Sequence, residues 1–210
     1  MNTIRIDRVV TSGTFSLDGG TWEVDNNVWI VGDDSEAIVI DAAHDAEKIA
    51  TALGGRTLKA IVCTHGHNDH INAAPHLAKL TEAPILLHLD DHLLWEAVHD
   101  DRLPDRLVRH RQQLTVAGLE LTVLHTPGHS PGSVSLFCPG LGTVFTGDTL
   151  FAGGPGATGR SYSHFPTIIT SIRDQLFTLP DDTVVRTGHG DSTTIGQEAP
   201  HLAEWIERGY

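Results

Sequence analysis

The sequence is poor in the features that mark nucleic-acid-binding and membrane proteins. Only 14 Lys and Arg residues stand against 27 Asp and Glu, which gives a formal net charge of −13 at pH 7. A surface that binds phosphate backbones needs clustered basic side chains, so this balance argues against such a partner. No apolar run approaches the roughly 18 residues of a membrane-spanning helix. We therefore expect neither a nucleic-acid partner nor a membrane association.

Cysteine is scarce, and leader-like features are missing. Cys63 and Cys138 both lie in apolar, strand-like runs, which favours two buried free thiols over a disulfide. The first residues, MNTIRIDRVVTSG, contain neither the apolar region nor the small-residue cleavage site of a signal peptide. The sequence therefore predicts a cytoplasmic protein.

Short apolar strands alternate with helical segments, and no low-complexity stretch or linker divides the chain. The predicted strands are 4–10, 27–32, 37–41, 58–64, 83–88, 119–124, 134–137, 143–146 and 183–187. The predicted helices are 44–53, 71–80, 90–98, 166–179 and 198–208. Asp90 is the expected cap of the third helix. This order suits two packed sheets with helices outside, in one α/β domain over residues 1–210.

Histidine is the residue in excess, with fourteen in the chain. His65, His67, Asp69 and His70 fall within six residues, directly after the predicted buried strand 58–64. Burying three imidazoles and a carboxylate is costly without a partner, and this ligand set suits zinc, iron or manganese. The segment predicts a metal site, with a solvated His-rich loop as the alternative.

Three further segments each place a candidate ligand in a turn after a predicted strand. His129 lies in Thr-Pro-Gly-His-Ser-Pro-Gly, Asp148 in Thr-Gly-Asp-Thr, and His189 in Thr-Gly-His-Gly. Each motif alone is weak, but in this order after the six-residue cluster they reinforce the prediction. The remaining histidines are expected in surface or packing roles: His44, His76, His88, His92, His99, His110, His125, His164 and His201.

The succession His-x-His-x-Asp-His, Pro-Gly-His-Ser, Gly-Asp-Thr-Leu-Phe and Gly-His-Gly resembles the metallo-β-lactamase superfamily. More narrowly, it is similar to the glyoxalase II-like (hydroxyacylglutathione hydrolase-like) thioesterase branch, over roughly residues 27–197. The resemblance implies an αββα sandwich of two mixed sheets with helices outside. It also implies two divalent metal ions at one edge of the sandwich, zinc first, with iron or manganese as alternatives.

The resemblance further implies a role for each candidate residue. The first metal would be held by His65, His67 and His129, the second by Asp69, His70 and His189, with Asp148 bridging both. Asp69 and Asp148 would orient the bridging hydroxide and are the candidate catalytic carboxylates. Asp41, which closes the strand 37–41, resembles the first-motif Asp that supports the ligand loop from behind, with a simple strand-end turn as the alternative.

Departures from related branches narrow the expected substrate. β-Lactamases of this fold commonly carry Cys, or no carboxylate, where this chain has Asp148, which disfavours antibiotic hydrolysis. Classical glyoxalase II adds a C-terminal helical domain for glutathione, and this chain ends before such a domain. The scarcity of lysine is common in high-GC genomes, and the loop Gly-Pro-Gly-Ala-Thr-Gly-Arg-Ser-Tyr resembles that of actinobacterial proteins linked to mycothiol. The expected substrate is a thioester of a low-molecular-weight thiol, with a mycothiol conjugate as one candidate.

Residues 151–163 follow Asp148 directly, so this loop should line the substrate pocket. Its polar and aromatic cluster, Arg160, Ser161 and Tyr162, is the candidate substrate-binding group, with structural packing as the alternative. The expected partner is a small-molecule thioester. A persulfide dioxygenase with one iron and an inactive metal-binding module are the alternative functions, and the sequence leaves the oligomeric state open.

Overall fold

A six-stranded sheet forms the first half of the structure, a computed structural model that describes residues 3–209. Its strands, in both chain and spatial order, are β1 (Arg5–Leu17), β2 (Gly20–Gly32), β3 (Glu36–Ile40), β4 (Thr57–Val62), β5 (Ile85–His88) and β6 (Arg106–Val108). Strands β1 to β3 are antiparallel neighbours, whereas β3 to β6 run parallel. The sheet is therefore mixed.

The second half forms another six-stranded sheet and a small hairpin. The strands are β7 (Gln113–Val116), β8 (Leu119–His125), β9 (Val134–Cys138), β10 (Thr143–Gly147), β11 (Leu150–Phe151), β12 (Gly154–Pro155), β13 (Val184–Thr187) and β14 (Thr193–Thr194). The sheet order is β14-β13-β10-β9-β8-β7, and β11 pairs with β12. Only the β10–β13 pair is parallel, so this sheet is mixed as well.

Helices cover the outer faces of both sheets. They are α1 (Ala46–Leu53), α2 (Asn68–Ile71), α3 (Ala74–Thr81), α4 (His92–Glu96), α5 (Phe165–Ser171), α6 (Ile195–Glu198) and α7 (Leu202–Arg208), and α5 continues into a π-helical turn, Ile172–Leu176. Helix α1 shows how the sequence sets such bounds. The Asp45 carboxylate accepts the Lys48 N–H at 2.9 Å, and Gly54 ends the helix with φ 62°.

Side chains alternate between the two faces of each sheet, and the apolar ones form three layers. Ile30 and Ile61 pack outward with α1 and α3, whereas Val31 and Val62 pack inward against the second sheet. A third layer, which includes Trp205, joins the outer face of the second sheet to α5 and α7. The αββα sandwich predicted from the sequence is thus confirmed.

The structure corrects several boundaries. Strands β1 and β2 are longer than predicted, since residues 11–17 pair with residues 20–26 in a hairpin beyond the sheet. Strand β6 lies in a polar segment for which no strand was predicted, and the predicted helix 166–179 ends in the π-helical turn. Asp90 does not cap α4, because the helix begins after Asp91. Cys63 and Cys138 are buried free thiols, as predicted.

Among the described residues, no helix has the length and apolar character needed to cross a membrane.

Candidate metal centre

Four loops bring the seven candidate ligands together, and each loop follows a strand. The first loop follows β4 and carries His65 to His70, partly on the short helix α2. His129 lies between β8 and β9, Asp148 follows β10, and His189 follows β13. Because all four strands end at the same edge of the sandwich, ligands far apart in sequence become neighbours.

The first group consists of His65, His67 and His129, which are all buried. One ring nitrogen of each lies within 4.8 Å of the others. Within the group, His67 Nδ1 lies 3.0 Å from His129 Nε2. Three converging imidazoles of this kind could hold one metal ion.

The second group consists of Asp69, His70 and His189, whose ligand atoms also lie within 4.8 Å of one another. His70 Nε2 is 3.1 Å from His189 Nε2, and Asp69 Oδ2 is 3.4 Å from the first and 3.3 Å from the second. This group could hold a second ion.

The Asp148 carboxylate contacts both groups. Its Oδ1 lies 3.3 Å from His70 Nε2, while its Oδ2 lies 3.6 Å from His129 Nε2 and 3.3 Å from His189 Nε2. The structure thus places Asp148 between the two groups, where a bridging ligand would lie.

His65 and His67 in the first group have the charge state that metal binding requires. Burial lowers the pKa of His65 well below its ordinary value and that of His67 to about 3, so both rings are neutral. His65 Nε2 and His67 Nε2 are also buried without hydrogen-bond partners. An unpartnered buried nitrogen is costly, and a lone pair in this state is available to a metal.

The carboxylates around the second group favour positive charge there. Burial opposes an imidazolium at His189, but the carboxylates of Asp148 and Asp69 override it and raise the pKa to about 10. Burial would also raise the pKa of Asp69, yet His70 and His189 lower it to about 2. Two ionised carboxylates facing histidines therefore fit divalent cations.

Asp41, the candidate supporting residue, contacts the second group through His70. Its Oδ2 lies 2.9 Å from His70 Nδ1 and accepts the Thr64 hydroxyl at 2.8 Å, while its Oδ1 accepts the Thr64 N–H at 2.7 Å. Contact at Nδ1 turns His70 Nε2 toward the other ligands, as is common for metal-binding histidines.

Two supporting residues were missed from the sequence. Asn26 Nδ2 donates to Asp69 Oδ2 at 3.0 Å and lies 3.3 Å from His70 Nε2. His44 Nε2 donates in turn to Asn26 Oδ1 at 2.8 Å, so His44 belongs to the network behind the site rather than to the surface. Asn26 lies in the long hairpin, where no motif marks it.

Asp91 was also missed, because no motif in the sequence marks it. It is fully buried, and its carboxylate accepts the Gly66 N–H at 2.8 Å, the Gly132 N–H at 2.5 Å and the Ser130 hydroxyl at 2.6 Å. Burial raises the pKa of Asp91, and these hydrogen bonds partly offset the effect. Asp91 therefore ties the loop of His65 and His67 to the turn of His129.

Gly188 allows the site to close. A Cβ at this position would lie 2.2 Å from Asp148 Oδ1 and 2.8 Å from His70 Cε1. The contact distances exclude any side chain there, which explains the glycine before His189 in physical terms.

A cavity of about 210 Å³ opens onto the ligands, with Phe15, Val24, Phe151 and Ala157 as its other walls. A smaller cavity of about 40 Å³ adjoins it through Phe15 and Ala157, which line both.

Two of the three candidate substrate-binding residues lie beside the smaller cavity. Arg160 and Ser161 line the smaller one, whereas Tyr162 is 54% exposed and lines neither. The Arg160 guanidinium carbon stacks 4.0 Å above the Trp22 ring, and the Ser161 N–H donates to Asp18 Oδ2 at 3.0 Å. The loop is thus held against the tip of the β1–β2 hairpin.

The fold and the site define the class of the protein. The sequence profile of the metallo-beta-lactamase superfamily matches residues 21–189, so the chain belongs to this superfamily.

Three known proteins show the range of its similarities. Hydroxyacylglutathione hydrolase GloC of Haemophilus influenzae is 34% identical over 181 residues, covering 79% of this chain and 85% of that protein. The BLEG-1 B3 metallo-beta-lactamase structure has 31% identity and a TM-score of 0.78, covering 91% and 98% of the two chains. TTHA1623 in a di-iron-bound form has 31% identity and a TM-score of 0.75, covering 84% and 93%.

Proposed function

We propose that this chain is a binuclear metallohydrolase that cleaves the thioester of a low-molecular-weight thiol. The observation that carries the proposal is the position of Asp148, whose two oxygens contact histidines of both ligand groups. The similarity to a protein named hydroxyacylglutathione hydrolase supports the choice of a thioester. A mycothiol thioester is the form of substrate that we favour.

The proposed ligands divide by charge. Burial keeps His65 and His67 neutral, Asp69 brings negative charge to the second group, and Asp148 brings it between the two groups. Two divalent metal ions bound there would supply hydroxide at neutral pH and stabilise negative charge on the attacked carbonyl oxygen. Asp69 and Asp148 would serve as ligands that orient the attacking oxygen, and Asp41 would fix the orientation of the His70 ring.

The pocket walls suit an acyl group next to the ligands. Phe15, Val24 and Phe151 present apolar surface around the cavity of about 210 Å³, which would exclude bulk water from the reacting carbonyl. Arg160 lies further out, beside the smaller cavity, where its guanidinium could meet a carboxylate or carbonyl of the thiol carrier.

A panel of thioesters of different thiols, mycothiol and glutathione among them, tests the function. We expect metal-dependent release of free thiol, with a preference for one thiol carrier. β-Lactams are included as a comparison because the chain is similar to a β-lactamase, and we expect little turnover of them. Oxygen uptake on a persulfide by iron-loaded protein would instead favour the dioxygenase alternative. A folded, metal-loaded protein inert to every substrate would favour the inactive binding module.

The variant Arg160→Ala tests the carrier contact. Loss of a charge-assisted hydrogen bond of about 1.5–3 kcal/mol should lower kcat/KM by about one to two orders of magnitude, without changing metal content. Arg173→Ala is the matched control, because Arg173 is exposed and paired with Asp174. If Arg160→Ala alters only the thermal midpoint, the residue merely holds the loop on Trp22.

A further inference from the structure

A second cluster of imidazole and carboxylate groups lies outside the candidate metal centre. His88 is the last residue of β5 in the first sheet, and His125 is the last residue of β8 in the second. Asp90 follows closely, in a 3₁₀ turn. One ligand atom of each side chain lies within 4.8 Å of the others, so the cluster joins the two sheets.

Hydrogen bonds orient both imidazoles. His125 Nε2 donates to the Pro131 carbonyl oxygen at 2.9 Å, so Nδ1 is the ring nitrogen left to bind a metal. A backbone carbonyl behind the ring is the support that metal-binding histidines commonly have. His88 Nδ1 accepts the Asp90 N–H at 3.3 Å, a long bond with which a cation can compete.

The two rings stack beside a carboxylate, and His88 favours its neutral form. The rings of His88 and His125 lie face to face, with centroids 4.2 Å apart and planes at 14°. Burial lowers the pKa of His88, and the neighbouring His125 acts in the same direction. Asp90 Oδ2 lies 3.7 Å from His88 Nδ1. Two imidazoles and one carboxylate thus offer ligand atoms close to one another, a set that suits borderline divalent transition metals.

We propose that His88, Asp90 and His125 form an accessory site for a divalent transition-metal ion, separate from the candidate metal centre. Tetrahedral zinc places nitrogen ligands about 3.3 Å apart, so the side chains must close by up to about 1.5 Å. The Asp90 side chain is 53% exposed and can rotate to do so. With three protein ligands, the ion exchanges more readily than one held at the main centre.

Equilibrium dialysis of the full chain against micromolar Zn²⁺, with elemental analysis of the bound metal, tests this site. We expect the wild type to bind one ion more than His88→Gln and one more than Asp90→Asn. Because Asp90 is exposed, Asp90→Asn should fold, and it tests the site even if His88→Gln does not fold. Zinc should also raise the thermal midpoint of the wild type more than that of either variant.

His201→Gln is the matched control. His201 also pairs with a carboxylate, since its Nδ1 lies 3.1 Å from Glu204 Oε2, but this pair includes no second imidazole. This variant should bind as many ions as the wild type. Equal zinc counts in all four proteins would overturn the proposal, as would loss of more than one ion in the Asp90 variant. The comparison does not depend on the number of ions in the main centre or on thioester turnover.

Discussion

At the scale of single residues, the histidines around Asp148 compensate its charge and keep its carboxylate ionised. This largely buried carboxylate faces His70, His129 and His189, and burial alone would raise its pKa. The facing histidines instead hold the pKa well below its ordinary value, so the residue stays ionised. An ionised carboxylate shared by two histidine groups is a strong attractor for divalent cations.

Gly188→Ala should damage the site while leaving the fold. Its Cβ would lie 2.2 Å from Asp148 Oδ1, so the carboxylate would have to move away from the histidines. We expect metal affinity to fall by at least about tenfold, in the range known for disturbed ligand support. Metal competition with a chromophoric chelator measures the effect.

Gly140→Ala provides the control, because the nearest atom to its Cβ would be Leu119 Cδ2 at 3.6 Å, an ordinary contact. Equal affinities in the two variants would show that Asp148 does not need its present position.

Metal binding should release protons. In the metal-free protein the pKa of His189 is raised to about 10, and carboxylates also raise the pKa of His70 well above its ordinary value. Both rings are therefore protonated at pH 7, and a nitrogen that binds metal must lose its proton. Metal affinity should accordingly rise with pH and weaken as pH falls. Calorimetry at pH 7 in buffers of different ionisation enthalpy counts the protons, and an identical heat in all buffers would contradict this assignment.

Asp91 connects ligand-bearing loops at the scale of elements. The loop after β4 and the turn between β8 and β9 belong to different sheets, yet one carboxylate accepts hydrogen bonds from both. The first group depends on their relative position, because His67 and His129 come from separate loops.

Asp91→Asn should weaken metal binding in the first group. An amide keeps one acceptor oxygen but replaces the other with an NH₂ donor. One of the two loops therefore loses its hydrogen bond to residue 91. We expect affinity for one ion to fall by about 10- to 100-fold. Stepwise metal titration of the folded variant measures this, with the exposed Asp100→Asn as the control. A lower thermal midpoint with unchanged metal affinity would mean that Asp91 only stabilises the fold.

Buried strands and ligand motifs were predictable because their patterns are local. Strands β3 and β4 read as apolar runs, and His65, His67, Asp69 and His70 fall in one short segment. The outer part of the β1–β2 hairpin was not predictable, since it carries polar residues and packs over the ligand loop through Thr14, Ser16 and Asn68. Asn26 and Asp91 were missed for the same reason: their roles arise from contacts made only in the folded chain.

The whole molecule supplies a rigid frame for the proposed chemistry. Three apolar layers fix the two sheets without any contribution from metal, so removing metal should leave the fold in place. The hairpin and the loop 151–163 meet above the ligands through Trp22 and Arg160. If the proposed function is correct, surface segments would select the substrate, whereas the ends of core strands would bind the metal ions.

The central claim, that two metal ions held by the seven ligands catalyse thioester hydrolysis, is tested most directly by reconstitution. Metal-free protein is titrated with zinc or iron, and bound metal and thioester hydrolysis are measured on the same samples. We predict that activity rises with bound metal and saturates near two ions in the main centre, with the accessory ion removed by Asp90→Asn. His129→Ala and His189→Ala should each bind one ion fewer. Full activity with one ion, or full metal content in both variants, would contradict the account.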